Sequence, residues 1–206
     1  MTLKYGCFIS YPHVTDPEII RNFEAELLRE LNMWNLQGLQ KPVYRDETRL
    51  KGGAFFNAAL ARALCESVCM IAVYIPGYFN AKRIDCGREY RAMEKLERRR
   101  LQSLNRKLSK ENGLIIPIIF RGSDEIPEEI LSRRHCYNFE PITMKTRRLG
   151  TPQARAYFSE IARYVRDRYN EIKSVKISCV KPSLPSDGEV LPWLKRVQRV
   201  ERRFPR

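Results

Sequence analysis

Histidine is scarce in this sequence, with only two in 206 residues. His13 and His135 lie far apart, and no two cysteines have the CxxC spacing. Because zinc sites are built from clustered cysteine and histidine ligands, we predict no metal site. A GxGxxG segment is also missing, and this excludes the usual fingerprint of a resident dinucleotide cofactor.

The sequence contains no hydrophobic run long enough to cross a membrane. Its longest apolar stretch, around residues 68–79, is much shorter than the roughly 20 residues of a membrane-spanning helix. The first residues lack the basic, apolar and small-residue order of a secretion signal. We therefore expect a cytoplasmic protein without membrane contact.

Cysteine motifs typical of a disulfide framework are missing as well. Several cysteines lie within predicted strands or helices, as is usual for buried thiols in a reducing compartment. The six cysteines predicted to be free are Cys7, Cys65, Cys69, Cys86, Cys136 and Cys179.

Acidic side chains are too few to balance the basic ones: 38 Lys or Arg stand against 24 Asp or Glu, a net charge of +14. Such an excess favours anionic partners. Residues 173–206 are basic and rich in proline. We predict a tail outside the fold, with prolines that prevent a continuous helix and apolar residues that pack at most as a short arm. Either this tail binds an anionic protein or nucleic acid, or it is only a solvated surface.

Strand-like apolar runs alternate with helical periodicity along the chain. The runs cover residues 5–11, 42–44, 68–75, 114–120 and 136–139. This alternation predicts a parallel sheet between two helical layers, a three-layer α/β sandwich. Five strands with this rhythm fit the flavodoxin-like order 2-1-3-4-5. Pro117 within the fourth run indicates a strand near an edge, or a bulge.

Three polar loops are expected to open on one crevice. They follow strand one at Pro12 and His13, strand two at residues 45–53, and strand three at residues 76–89. In open α/β sheets, ligands bind outside the carboxyl ends of the strands, where the strand order reverses. Glu89 is predicted in the first turns of the helix that follows strand three. A lone glutamate there is also explained by its attraction to a helix N-terminus, but three convergent loops favour a site.

These loops resemble those of the Toll/interleukin-1 receptor (TIR) family, over roughly residues 3–172. FISY at residues 8–11 is similar to the first TIR motif, and VYRDETRLKGGAF at residues 43–55 to the second strand and its mobile loop. Tyr78 with CGRE at residues 86–89 resembles the third-strand region and its Cys-x-x-Glu helix start. The chain is most similar to free-standing bacterial TIR proteins, many of which consume NAD in antiviral defence or virulence signalling.

The resemblance implies a role for five residues. Glu89 matches the catalytic glutamate of the enzymatic TIR proteins. Tyr11, Pro12 and His13 match positions that line the NAD pocket, and Lys51 matches one in the mobile loop. The resemblance also implies self-association through TIR surfaces.

The matched region ends before the basic segment, so the sequence predicts a TIR domain at residues 1–172 and a tail at residues 173–206. One position departs from the family pattern. Asp85 stands where a tryptophan often precedes the motif cysteine. In the family that tryptophan is linked to how the nicotinamide end is held and to cyclic products, so the product is left open between hydrolysis and cyclisation.

Cleavage of the nicotinamide–ribose bond suits a single carboxylate. The leaving group departs neutral from a cation, so the second carboxylate of ordinary glycosidases is not needed. One carboxylate can hold the ribose and stabilise a cationic transition state by its charge. Arg45, Arg49 and Lys51 are candidates for contacts with the pyrophosphate. NAD would then be a consumed substrate, with no resident cofactor.

Two other functions fit the same sequence. A non-enzymatic TIR module would signal by self-association, with Glu89 serving only the helix terminus. A nucleic-acid-binding protein would act through the basic tail, with an affinity that falls steeply with salt.

Overall fold

The computed structural model describes residues 3–34, 36–45, 54–103, 113–124, 126–145, 149–173, 179 and 183–201. The strands are β1 (Tyr5–Ser10), β2 (Lys41–Arg45), β3 (Ser67–Tyr74), β4 (Ile115–Ile119) and β5 (Tyr137–Asn138). They form one sheet, parallel throughout, in the order β2-β1-β3-β4-β5. The predicted α/β class and strand order are therefore confirmed.

Helices cover both faces of this sheet. They are α1 (Pro17–Met33), α2 (Ala54–Cys65), α3 (Asp85–Ser103), α4 (Glu128–Leu131), α5 (Glu140–Lys145), α6 (Pro152–Ile172) and α7 (Asp187–Glu201). α1 packs against α6 and α2 against α3. Since the crossovers of parallel strands are right-handed, α1 lies on one face and α2 with α3 on the other. Helix α5 was not predicted from the sequence.

The centre of the sheet is strand β3, all eight residues of which are buried. Its apolar run predicted a strand covered on both faces, and it pairs with β1 on one side and β4 on the other. Pro117 lies in β4, whose outer neighbour β5 pairs only with Ile118 and Ile119. The predicted place of Pro117 near an edge of the sheet is correct.

Local side chains fix the start of α1. Thr15 and Asp16, which precede the first helical residue, are both of a type that caps helices. Asp16 takes the role: its Oδ1 accepts a hydrogen bond of 2.9 Å from the backbone N–H of Glu18. Pro17 occupies the first helical turn, where its missing N–H needs no partner.

The prediction of six free cysteines is wrong for two of them. Cys65 at the end of α2 forms a disulfide with Cys179. The two are 114 residues apart, a pairing that spacing motifs cannot reveal. Cys7, Cys69, Cys86 and Cys136 form no disulfide with any described residue. A reducing compartment was expected because all six cysteines were predicted to be free thiols, and with this disulfide that reason no longer holds.

The prediction that prolines prevent a continuous helix in the tail is wrong for Pro192. Helix α7 is continuous through Pro192. A proline inside a helix costs about 3 kcal/mol. The four apolar side chains of Val190, Trp193, Leu194 and Val197 are buried. At about 1.5–3 kcal/mol each, their burial outweighs that cost. Among the described residues, no helix is both long and apolar enough to cross a membrane.

Candidate active site at the carboxyl edge of the sheet

Glu89 lies where the carboxyl ends of β1 and β3 meet. It is half-buried on the second turn of α3. Ser10, the last residue of β1, donates a hydrogen bond from its Oγ to Glu89 Oε2 over 2.5 Å. The predicted meeting of the first strand end with Glu89 is thus present as a direct contact between two side chains.

Tyr78 extends this contact into a chain of three residues. Its hydroxyl lies 2.7 Å from Ser10 Oγ. A tight turn brings Tyr78 back under the sheet edge: its backbone N–H donates to the carbonyl of Ile75 over 3.0 Å. Gly77 within that turn has φ +88°, a conformation that favours glycine. Pro76-Gly77 therefore ends β3 and also directs Tyr78 towards Ser10.

The number of protons fixes the direction of the chain. Ser10 has one hydroxyl proton and gives it to Glu89, so Tyr78 must be the donor to Ser10. Burial, with lesser contributions from Cys86 and Glu89, raises the pKa of Tyr78 well above its ordinary value. The phenol therefore keeps its proton at neutral pH. Two aligned hydroxyl dipoles point at the Glu89 carboxylate and stabilise its negative charge.

The residues predicted to bind NAD continue directly from Ser10. Tyr11 is half-buried, Pro12 is buried and His13 is exposed. The rings of Tyr11 and His13 lie 5.6 Å apart, and the carbonyl of Pro12 accepts the backbone N–H of Thr15 over 2.9 Å. These residues share the sheet edge with Glu89.

Of the three basic residues predicted to contact a pyrophosphate, the structure describes one. Arg45, the last residue of β2, forms an ion pair with Glu24 of α1, and its side chain is 10% exposed. Its guanidinium is thus already engaged within the fold. Arg49 and Lys51 lie outside the described residues.

Two cavities in the described part of the chain have walls that do not include Glu89. One of about 460 Å³ lies at the carboxyl edge on the α1 side, between the loops after β1, β3 and β4; Thr15, Pro76 and Arg121 are in its wall. The other, of about 330 Å³, lies at the opposite end of β4 over the ion pair of Glu97 and Arg134. The first shares the carboxyl edge of the sheet with Glu89 but lies on the side of α1, and the second lies at the opposite edge.

Asp85 is the first residue of α3. A carboxylate in that position interacts favourably with the positive end of the helix, which gives Asp85 a structural reason to stand where the TIR pattern often has tryptophan. The first two turns of α3 thus carry two acidic residues, Asp85 and Glu89.

Sequence reasoning missed Ser10 and Tyr78 as partners of Glu89. Both lie inside the motif stretches, and Ser10 is the polar residue that ends an apolar strand. Their contact depends on the pairing of β1 beside β3, which brings residues 68 to 79 positions apart together. Within the described part of the chain, no group of three or more His, Cys, Asp or Glu is arranged to hold a metal ion.

No protein-family model matches the chain, and no curated protein matches its sequence.

Proposed function

We propose that this protein is a TIR-type enzyme that cleaves the nicotinamide–ribose bond of NAD, with Glu89 as the catalytic carboxylate. One observation carries the proposal. Glu89 lies at the carboxyl edge of the sheet, where the strand order reverses, and Ser10 holds one of its oxygens. Ligands of open α/β sheets bind at this position.

The chemistry requires little more than a well-placed negative charge. Nicotinamide leaves as a neutral molecule, and positive charge develops on the ribose. A carboxylate held in place by hydrogen bonds stabilises that charge without first having to reorganise. Attack by water yields ADP-ribose, whereas attack by the adenine ring yields a cyclic product. The Glu89 arrangement is compatible with both.

Product analysis after incubation with NAD tests the proposal. We expect free nicotinamide together with ADP-ribose or a cyclic nucleotide in equal amounts. NADH is the matched control substrate, because its reduced ring would have to leave as an anion. Release from NAD alone supports the mechanism. Equal release from both dinucleotides, or from neither, contradicts it.

A second candidate function follows from the same contact. Because Ser10 satisfies Glu89 inside the protein, the carboxylate also fits a structural role in a non-enzymatic TIR module that self-associates. This alternative predicts that Glu89→Gln lowers the melting temperature and that wild-type protein releases no nicotinamide.

A further inference from the structure

Helix α7 packs directly on the two turns of α3 that carry Glu89. Leu194 covers Gly87: a Cβ added to that glycine would lie 3.0 Å from Leu194 Cδ2. Trp193 stacks on Tyr90, with ring centroids 5.8 Å apart and planes inclined by 14°. The residues two before and one after Glu89 are therefore both in contact with α7.

Charged contacts hold the same two helices together. Arg88, immediately before Glu89, forms an ion pair with Asp187 in the first turn of α7. Lys95 donates to Glu189 over 2.6 Å. The guanidinium of Arg91 lies 5.2 Å from the centre of the Trp193 ring. Exposed ion pairs contribute little stability, so the apolar contacts hold the helix and the ion pairs set its register.

A second route leads from α7 to Glu89 through aromatic rings. Trp193 meets Phe79 edge to face at 5.3 Å, and Phe79 meets Tyr78 edge to face at 4.8 Å. Tyr78 donates to Ser10, which donates to Glu89. Trp193 therefore supports both the helix of Glu89 and the hydroxyl chain that orients its carboxylate.

The disulfide of Cys65 with Cys179 ties the segment that precedes α7 to the end of α2. Both cysteines are at least nine-tenths buried. The chain that leads into α7 is therefore anchored covalently to α2, in addition to the contacts that α7 makes with α3.

We infer that α7 is a positioning element that fixes the Glu89 carboxylate, with Trp193 as its central residue. The catalytic consequence rests on the proposed NAD cleavage. The mechanical consequence, an ordered start of α3 and an oriented Ser10, does not.

Three variants of the full chain test this inference. Trp193→Ala removes both aromatic contacts. Trp193→Phe keeps most of them and loses no hydrogen bond, since the indole N–H has no partner among the described residues. Lys195→Ala, on the exposed side of α7, is the control. Amide hydrogen exchange at residues 86–90 and the ¹⁵N shift of Ser10 measure the mechanical consequence. The kcat and KM of nicotinamide release measure the catalytic one.

We expect Trp193→Ala to speed amide exchange at residues 86–90 and to move the Ser10 resonance. It should also lower kcat roughly tenfold with KM nearly unchanged, because a small misplacement of a reacting group lowers the reaction rate. Trp193→Phe should restore most of each value, and Lys195→Ala should match wild type. Should Trp193→Ala fail to fold, Leu194→Ala, which removes the contact with Gly87, replaces it with the same expectations for amide exchange and kcat.

Wild-type exchange and resonances in a folded Trp193→Ala protein would overturn the inference. So would a fall in melting temperature with an unchanged kcat. If wild-type protein releases no nicotinamide, the proposed function fails, while the exchange and resonance data still decide the role of α7.

Discussion

Ser10 links two side chains, since it accepts a hydrogen bond from the buried Tyr78 hydroxyl and donates one to the half-buried Glu89 carboxylate. Ser10 and Tyr78 are each 1% exposed. A buried polar group that loses its partner costs more than the bond itself contributed, because it also gave up its water. Removal of the Ser10 hydroxyl should therefore lower the free energy of unfolding more than removal of the Tyr78 hydroxyl.

Ser10→Ala should lower the free energy of unfolding by about 1–3 kcal/mol, since it leaves the Tyr78 hydroxyl without its acceptor and removes the Ser10 hydroxyl from Glu89. Tyr78→Phe keeps the bond from Ser10 to Glu89 and should cost about 1 kcal/mol. Urea denaturation measures both. Ser103→Ala, at an exposed helix position, is the control. Equal losses for the two variants would show that the hydroxyls do not act as a directed chain.

The buried thiol of Cys69 should make stability depend on pH above neutrality. Burial raises its pKa to about 12, against about 8.5 in an unfolded chain. The folded state thus holds a proton that the unfolded state releases. The contribution of this thiol to the free energy of unfolding is fully present below about pH 8.5. It is lost as pH rises towards 12, by up to about 1.4 kcal/mol per pH unit.

Urea denaturation between pH 8 and 10.5 measures this slope. Cys69→Ala should make it shallower, and the buried thiol of Cys7, whose pKa is also raised by burial, should maintain the rest. Cys136→Ala, which removes a half-buried thiol with a smaller rise in pKa, should stay closer to wild type. An identical slope in wild type and Cys69→Ala would contradict the assignment.

At the scale of elements, the sequence predicted what depends on short-range pattern. The apolar run of β3 and the cap at Asp16 are local signals, and strand alternation was enough for the sheet order. Helix α7 was missed because its stability depends on partners distant in the chain: Trp193 packs on Phe79 and Tyr90. Nothing in the tail itself reveals those rings, and Pro192 indicated the opposite.

The candidate site shows the same division. The place of Glu89 at the sheet edge follows from strand order and helix periodicity. The bond from Ser10 and its support from Tyr78 require the register of β1 against β3, in which Ser10 pairs with Ala72. The disulfide of Cys65 and Cys179 was beyond reach for a related reason, because connectivity cannot be deduced from six scattered cysteines.

Removal of α7 should destabilise the protein, although the sequence alone predicted a dispensable tail. A chain that ends at Lys173 loses the disulfide, typically about 2–5 kcal/mol, and exposes the rings of Phe79 and Tyr90. We expect a melting temperature lower by at least roughly 10 °C, or insoluble protein. A chain that ends at Glu201 is the control and should melt like wild type. Equal melting of both shortened chains would restore the prediction of a dispensable tail.

At the scale of the whole molecule, the net charge of +14 and the proposed TIR surfaces raise the question of assembly. By resemblance, TIR enzymes complete their pocket against a neighbouring copy. We therefore expect nicotinamide release per molecule to rise with protein concentration. Activity assays and light scattering over the same dilution series measure this, at two salt concentrations because like charges repel less when screened. Full specific activity in a strictly monomeric sample would exclude the need for a neighbour.

The most direct test of the central claim is the rate of nicotinamide release by wild type, Glu89→Gln and Glu18→Gln, measured at one high protein concentration. Glu18 is an exposed carboxylate in the first turn of α1, so it controls for loss of a charge at a helix start. We expect Glu18→Gln to match wild type, and Glu89→Gln to stay folded but to be slower by about 10²–10³-fold, the usual effect of losing one preorganised electrostatic partner. Turnover by Glu89→Gln within a few-fold of wild type would contradict it.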